Sequence, residues 1–219
     1  MAHVGQMLFF QNIKQFFPDF FSGTKVLEIG SLDINGSVRR FFNSCAYTGI
    51  DIGPGQQVDI ICKGENFPEK ADQYDVVIST EVFEHTENWD LIFLNMLRLM
   101  KRNGMIIFSC ASWGREQHGT SLFHSSSAPY VASTEDYYKN LVSDDFMAAF
   151  QFEYWFSSHV FIRDADCLYF VGVGRKAGKY IDNMSQFKEL YQDYIYKKNV
   201  LGLPDHYILS LPTNRLEVP

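Results

Sequence analysis

Apolar residues fall along this chain in short runs between polar turns, and their period switches repeatedly between that of a helix and that of a strand. Phe9, Phe10, Ile13, Phe16 and Phe17 recur at helical spacing and stop at Pro18, which predicts a short aromatic-faced helix used for core packing. Lys25 to Ile29 reads as a buried strand, Ser37 to Phe42 as part of a helix, Tyr47 to Ile52 as a second strand and Val58 to Cys62 as a third. Tyr74 to Ser79 and Gly104 to Cys110 are continuous apolar runs of strand length, and Trp89 to Met100 between them has helical periodicity. Such alternation predicts a parallel sheet wrapped by helices. The rhythm then breaks. Ala111 to Ala132 is rich in Ser, Gly and His with little periodicity, and a loop of that length in a compact domain suggests an active-site cover. Phe152 to Ile162 and Cys167 to Val173 flank four residues and predict an antiparallel hairpin closing the sheet. Phe187, Leu190, Tyr191 and Tyr194 predict a last helix.

Composition supports one folded unit. The 219 residues are 46% hydrophobic and 16% aromatic, enough for a single substantial core. One domain over 1–219 is expected, with an N-terminal helical segment (1–24), a cover segment (111–150) and a C-terminal helical extension (179–219). A net charge of -7 disfavours a nucleic-acid partner, because such binding depends on Lys and Arg displacing counterions. Cys45, Cys62, Cys110 and Cys167 lie far apart with no CxxC pair, so neither a disulfide framework nor a structural zinc site is expected. No apolar run is long enough to cross a bilayer, no secretory signal is recognisable, and a cytoplasmic location is expected.

The first strand leads into VLEIGSLDINGSVR, a turn with only two glycines, Gly30 and Gly36. A pyrophosphate seated on a helix N-terminus calls for GxGxxG, so a dinucleotide fits poorly. A nucleoside without phosphates needs less. It needs room beside Gly30 and an acid at the end of the second strand to accept both ribose hydroxyls, and Asp51 stands about 20 residues beyond Glu28, as that geometry requires.

In order, VLEIGS, YTGIDIG, VDIICKG, YDVVISTEVFEH and KRNGMIIFS resemble the class I S-adenosylmethionine-dependent methyltransferases over roughly Lys25 to Lys176. More narrowly, VLEIGSLDINGSVR with GREQHGT and DYYKNL looks like a bacterial and phage-associated group often found near surface-polysaccharide genes. The resemblance implies a Rossmann-like α/β sheet, mostly parallel with a C-terminal antiparallel hairpin and helices on both faces. It also implies S-adenosylmethionine as cofactor. Glu28, Gly30 and Ser31 would then line the methionine end, Asp33 would contact its ammonium, and Asp51 would accept the ribose hydroxyls. Ile52 would pack on the adenine, whose edge would meet the turn Ile61-Cys62-Lys63-Gly64. Lys63 departs from the Asp of many relatives, and a Lys cannot accept a hydrogen bond from the adenine amino group.

Methyl transfer asks mainly for alignment, and a hydroxyl acceptor also asks for a base. His118, in the cover loop, is the first choice for that base, with a surface histidine bonded to backbone as the plain alternative. Glu81 points toward the cofactor in many relatives. A similar ExxEH stretch in some ubiquinone-pathway O-methyltransferases holds a divalent ion, but Glu84 and His85 read here as residues capping a helix start. His118 with His124 lacks a further ligand, and no metal site is assigned. Arg115 and Glu116 would orient an acceptor or form an exposed ion pair, and His159 reads as a sheet residue. Tyr130, Tyr137, Tyr138, Trp113 and Phe123 are candidates to stack on a sugar or an aromatic acceptor. The leading expectation is a methyltransferase acting on a small molecule or glycan, with O-methylation favoured. An NAD(P)-dependent oxidoreductase and a non-catalytic partner subunit of the same fold stay open.

Overall fold

The computed structural model describes residues 4–203; residues 1–3 of the expected N-terminal segment and 204–219 of the expected C-terminal extension lie outside it. The chain runs α1 (Val4–Phe16), β1 (Lys25–Ile29), β2 (Ala46–Asp51), β3 (Ile60–Ile61), β4 (Tyr74–Thr80), α2 (Trp89–Leu99) and β5 (Met100–Ala111). After the cover segment, which carries α3 (Pro129–Thr134) and α4 (Ser143–Ala149), come α5 (Phe152–Trp155), β6 (Phe156–Asp164), β7 (Cys167–Gly174) and α6 (Ile181–Asn199).

The strands form one seven-stranded sheet in the order β3-β2-β1-β4-β5-β7-β6. Pairing is parallel from β3 through β5 and antiparallel for β5 with β7 and β7 with β6. Successive side chains on a strand point to opposite faces, so an apolar run such as KVLEI serves two cores at once. Val26, Val76, Ile78 and Ile107 face a layer with Phe9, Phe10 and Ile13 of α1 and Phe187 and Tyr191 of α6. Leu27, Ile29, Val77 and Phe108 face the other, with Phe93 and Met96 of α2 and Phe146 of α4. This is the expected α/β sheet with helices on both faces.

Three expected elements differ. Ser37 to Phe42 forms only a single 3-10 turn, Val38–Phe41, because Phe41 stacks on Phe10 and Phe42 stacks on Phe21, which draws the chain out extended before a longer helix can form. The third strand shrinks to Ile60–Ile61, the only stretch in register with Ile50 and Asp51. The apolar run from Phe152 opens as a helical turn before β6 begins at Phe156. The cover segment is also less bare than its composition suggests, since α3 and α4 lie within it.

Candidate active site

The strand order reverses between β1 and β4, and in an open α/β sheet ligands bind beyond the carboxyl ends of the strands at such a point. A cleft lies there. It holds about 810 Å³ of empty space counting its open mouth. Gly30, Asp51, Ile52, Lys63, Gly64 and Glu81 all line it, so six of the sequence-predicted residues meet on one wall or another.

Each is held by its element. Gly30 follows β1 with φ +80, and a Cβ there would strike the Val82 side chain, so both conformation and space call for glycine. Gly64 is closed in by Ile29 and Ile92, where an added Cβ would lie 2.6 Å from Ile29 Cγ2. Asp51 ends β2; its Oδ2 accepts from the Leu32 amide at 3.1 Å and its Oδ1 from the Gly53 amide at 3.4 Å. These bonds aim the carboxylate along the cleft wall, while burial raises its pKa.

Glu28 and Ser31 stand apart from the cleft. With Gly30 they line a smaller depression beside it, where Glu28 accepts from the Tyr47 hydroxyl at 2.8 Å and burial lifts its pKa to about 7. The buried Ser31 hydroxyl has no hydrogen-bond partner among the described residues. Asp33 lines neither space and spends its carboxylate on the Gly36 amide at 2.6 Å, closing the turn after β1.

Glu81 follows β4 with φ +56, a left-handed conformation that costs a non-glycine residue energy. Its Oε1 accepts from Ser109 Oγ at 2.8 Å, and Ser109 Oγ in turn accepts from Gln6 Nε2 of α1 at 2.9 Å. Arg115 sits 3.5 Å from Glu81 Oε2 and 3.0 Å from Asp166, so its partners are these two acids and not its neighbour Glu116.

His118 does not line the cleft; His85 does. The two rings meet edge to face at 5.1 Å, and Tyr138 packs on both. Burial lowers both imidazole pKa values, His85 to about 3, with the neighbouring His118 adding to the effect. Glu84 and His85 do not cap a helix as expected. They lie in the buried 3-10 turn Phe83–His85, and α2 starts only at Trp89 with Asn88 as its cap. Burial, reinforced by the charge of Glu81, raises the pKa of Glu84. No local pattern marks His85 as a cleft residue, because its exposure to the cleft depends on a turn between two elements.

The cover segment closes the rim of the cleft beside Gly53 and Lys63. Tyr130 donates from its hydroxyl to the Pro54 carbonyl, its ring lies against Gly53, and Glu135 pairs with Lys63. Lys63 is thereby turned toward the cover, which raises its pKa. Trp113 and Phe123 are exposed, and His159 packs among Phe152, Phe156 and Phe170 on β6 as expected of a sheet residue. No described helix is long and apolar enough to cross a membrane.

Known proteins share this fold. The chain is similar in structure to the CurJ carbon methyltransferase (TM-score 0.51, 16% identity, covering 70% of this chain and 49% of that one), and so spans about half of that protein's length. It is also similar to the Burkholderia thailandensis 1,6-didemethyltoxoflavin-N1-methyltransferase, solved with S-adenosylhomocysteine bound (TM-score 0.52, 9% identity, covering 75% and 76%). The PH0226 protein of Pyrococcus horikoshii OT3 is a third (TM-score 0.54, 11% identity, covering 78% and 90%). At these identities the likeness concerns the fold. Among curated proteins none matches. The family profile described as methyltransferase domain matches residues 1–125, which carry β1 to β5 and most of the cleft wall, and the chain belongs to that family.

Proposed function

We propose that the protein transfers a methyl group from S-adenosylmethionine to a small-molecule or glycan acceptor, with a hydroxyl as the favoured acceptor group. The observation that carries the reading is Asp51, an acid at the end of β2, held by two backbone amides beside Gly30 in the cleft at the sheet's switch point. A carboxylate so placed has lone pairs left for two ribose hydroxyls. Ile52 and Ile92 offer an apolar bed for the adenine, and Glu81, fixed by Ser109 and Arg115, offers a charge for the sulfonium end.

The turn after β1 supports this over a nicotinamide dinucleotide. It is followed by one 3-10 turn instead of a helix, so it lacks the row of free amides and the dipole that hold a pyrophosphate. The test is calorimetric titration with S-adenosylmethionine, S-adenosylhomocysteine and NADH. Binding of the first two, weakened at least about 10-fold by Asp51→Ala, is expected, a loss of about 1.4 kcal/mol. Binding of NADH alone would favour the oxidoreductase. Binding of none, with a stoichiometric protein copurifying, would favour the non-catalytic subunit.

A further inference from the structure

Beside the cleft, Glu84, His85 and His118 each present one ligand atom, and the three atoms lie within 4.8 Å of one another. We infer that they form a binding site for a divalent transition ion of the zinc type, built jointly by the turn after β4 and the cover loop.

The polar atoms there are arranged for an ion. Glu84 is fully buried; its Oε1 accepts from the Ala111 amide at 3.1 Å, which fixes the carboxylate, and its Oε2 has no partner among the described residues. His85 Nδ1 is likewise buried and unpartnered. A buried carboxylate oxygen and a buried imidazole nitrogen left without partners are each costly, and one ion satisfies both. On His118, Nδ1 lies 3.0 Å from the Glu116 carbonyl. That bond assigns the proton to Nδ1 and leaves the Nε2 lone pair for a ligand, the arrangement in which a metal-binding histidine donates its other N–H to a backbone carbonyl.

Gly119 allows the loop to come this close. Its φ is +67, and a Cβ there would lie 2.7 Å from His85 Cε1. Zinc bonds of about 2.0–2.2 Å place tetrahedral ligand atoms about 3.4 Å apart. The remaining contraction, at most about 1.4 Å from the 4.8 Å bound, falls to His118, the half-buried ligand carried by a loop. Two imidazoles and one carboxylate suit zinc and its neighbours, whereas magnesium prefers an all-oxygen shell. Glu81, which an ExxEH ligand set would enlist, is already engaged by Ser109 and Arg115, and His118 stands in its place. The charge of Arg115 is met by Glu81 and Asp166, so it does not face the ion unopposed.

The site is tested without cofactor or acceptor, so it stands or falls separately from the methyltransferase reading. The full chain, stripped with EDTA, is titrated with Zn²⁺ by calorimetry and with Co²⁺ by visible absorption, alongside His118→Ala, Glu84→Gln and the exposed loop control His124→Ala. One Zn²⁺ per chain is expected, with a Co²⁺ spectrum of low coordination number. His118→Ala should weaken binding by more than the about 10–100-fold that losing a mere outer partner costs. His124→Ala should bind as the wild type does. Should Glu84→Gln fail to fold, His118→Ala decides, because that side chain is half exposed on a loop. No zinc uptake, uptake unaffected by His118→Ala, an equal loss with His124→Ala, or uptake of Mg²⁺ in preference to Zn²⁺ would each overturn the site.

Discussion

Glu28 ties the first strand to pH. Burial raises its pKa from 4.5 to about 7 against the opposing hydrogen bond from Tyr47. Between those values the folded chain keeps a proton that the unfolded chain has released, so the stability this group contributes is full below about 4.5 and falls as pH rises to about 7. The loss is about 3 kcal/mol. Urea denaturation of wild type and Glu28→Gln at about pH 5 and pH 8 should show the wild type losing stability across that interval relative to the variant. Parallel curves would contradict it. Glu28 and Asp51 also show what a sequence discloses at this scale. Asp51 was legible because a strand end and a spacing locate it, and it lines the cleft. The approach of His118 to His85 was not legible, since a loop returning from 33 residues away makes it and no periodicity records such a return. Likewise Asp33 spends its carboxylate on its own turn, a local choice between partners that residue type cannot decide.

Among elements, the cover segment is the part with a test of its own. Tyr130 of α3 and Glu135 just after it reach across to Pro54 and Lys63. The Lys63 to Glu135 pair is largely exposed and worth at most about 1 kcal/mol. Tyr130 contributes more, because its ring fills the space above Gly53 where the cleft would otherwise open. Tyr130→Ala should therefore weaken S-adenosylhomocysteine about 10-fold, chiefly through faster dissociation. Stability should change by less than about 0.5 kcal/mol. Stopped-flow release and denaturant melts check the two halves, and an unchanged dissociation rate would remove the cover from the account. The strands β1, β4, β5 and β7 were legible as apolar runs because burial on both faces leaves few polar positions. The helical turn α5 was hidden because Phe152 continues the apolar run of β6, and periodicity does not separate a buried turn from a buried strand. The missing helix after β1 has the opposite cause: Phe41 and Phe42 fit a helix locally and are claimed by Phe10 and Phe21 from a distance.

For the whole molecule, α1 and α6, the first and last described helices, complete the core on one face of the sheet. Phe9 of α1 is fully buried and meets Tyr169 of β7 at 4.8 Å, Tyr191 of α6 at 5.6 Å and Phe187 at 6.0 Å. Phe9→Ala should cost about 3–5 kcal/mol in urea unfolding, since the surrounding rings come from two separate elements, β7 and α6, that cannot both collapse into the gap. A cost below about 1 kcal/mol would show that α1 is not part of the cooperative unit. The same helix reaches the site through Gln6 and Ser109, so the face that stabilises the molecule also steadies Glu81. On the proposed function, the cleft at the switch point holds the methyl donor's nucleoside. The most direct measurement is the electron density of the protein crystallised with S-adenosylhomocysteine. Both ribose hydroxyls are expected within hydrogen-bond distance of the Asp51 carboxylate and the adenine against Ile52, with the Leu32 and Gly53 amides still holding Asp51. Ligand density elsewhere on the molecule, or in the cleft with Asp51 making no contact to the ribose, would contradict it.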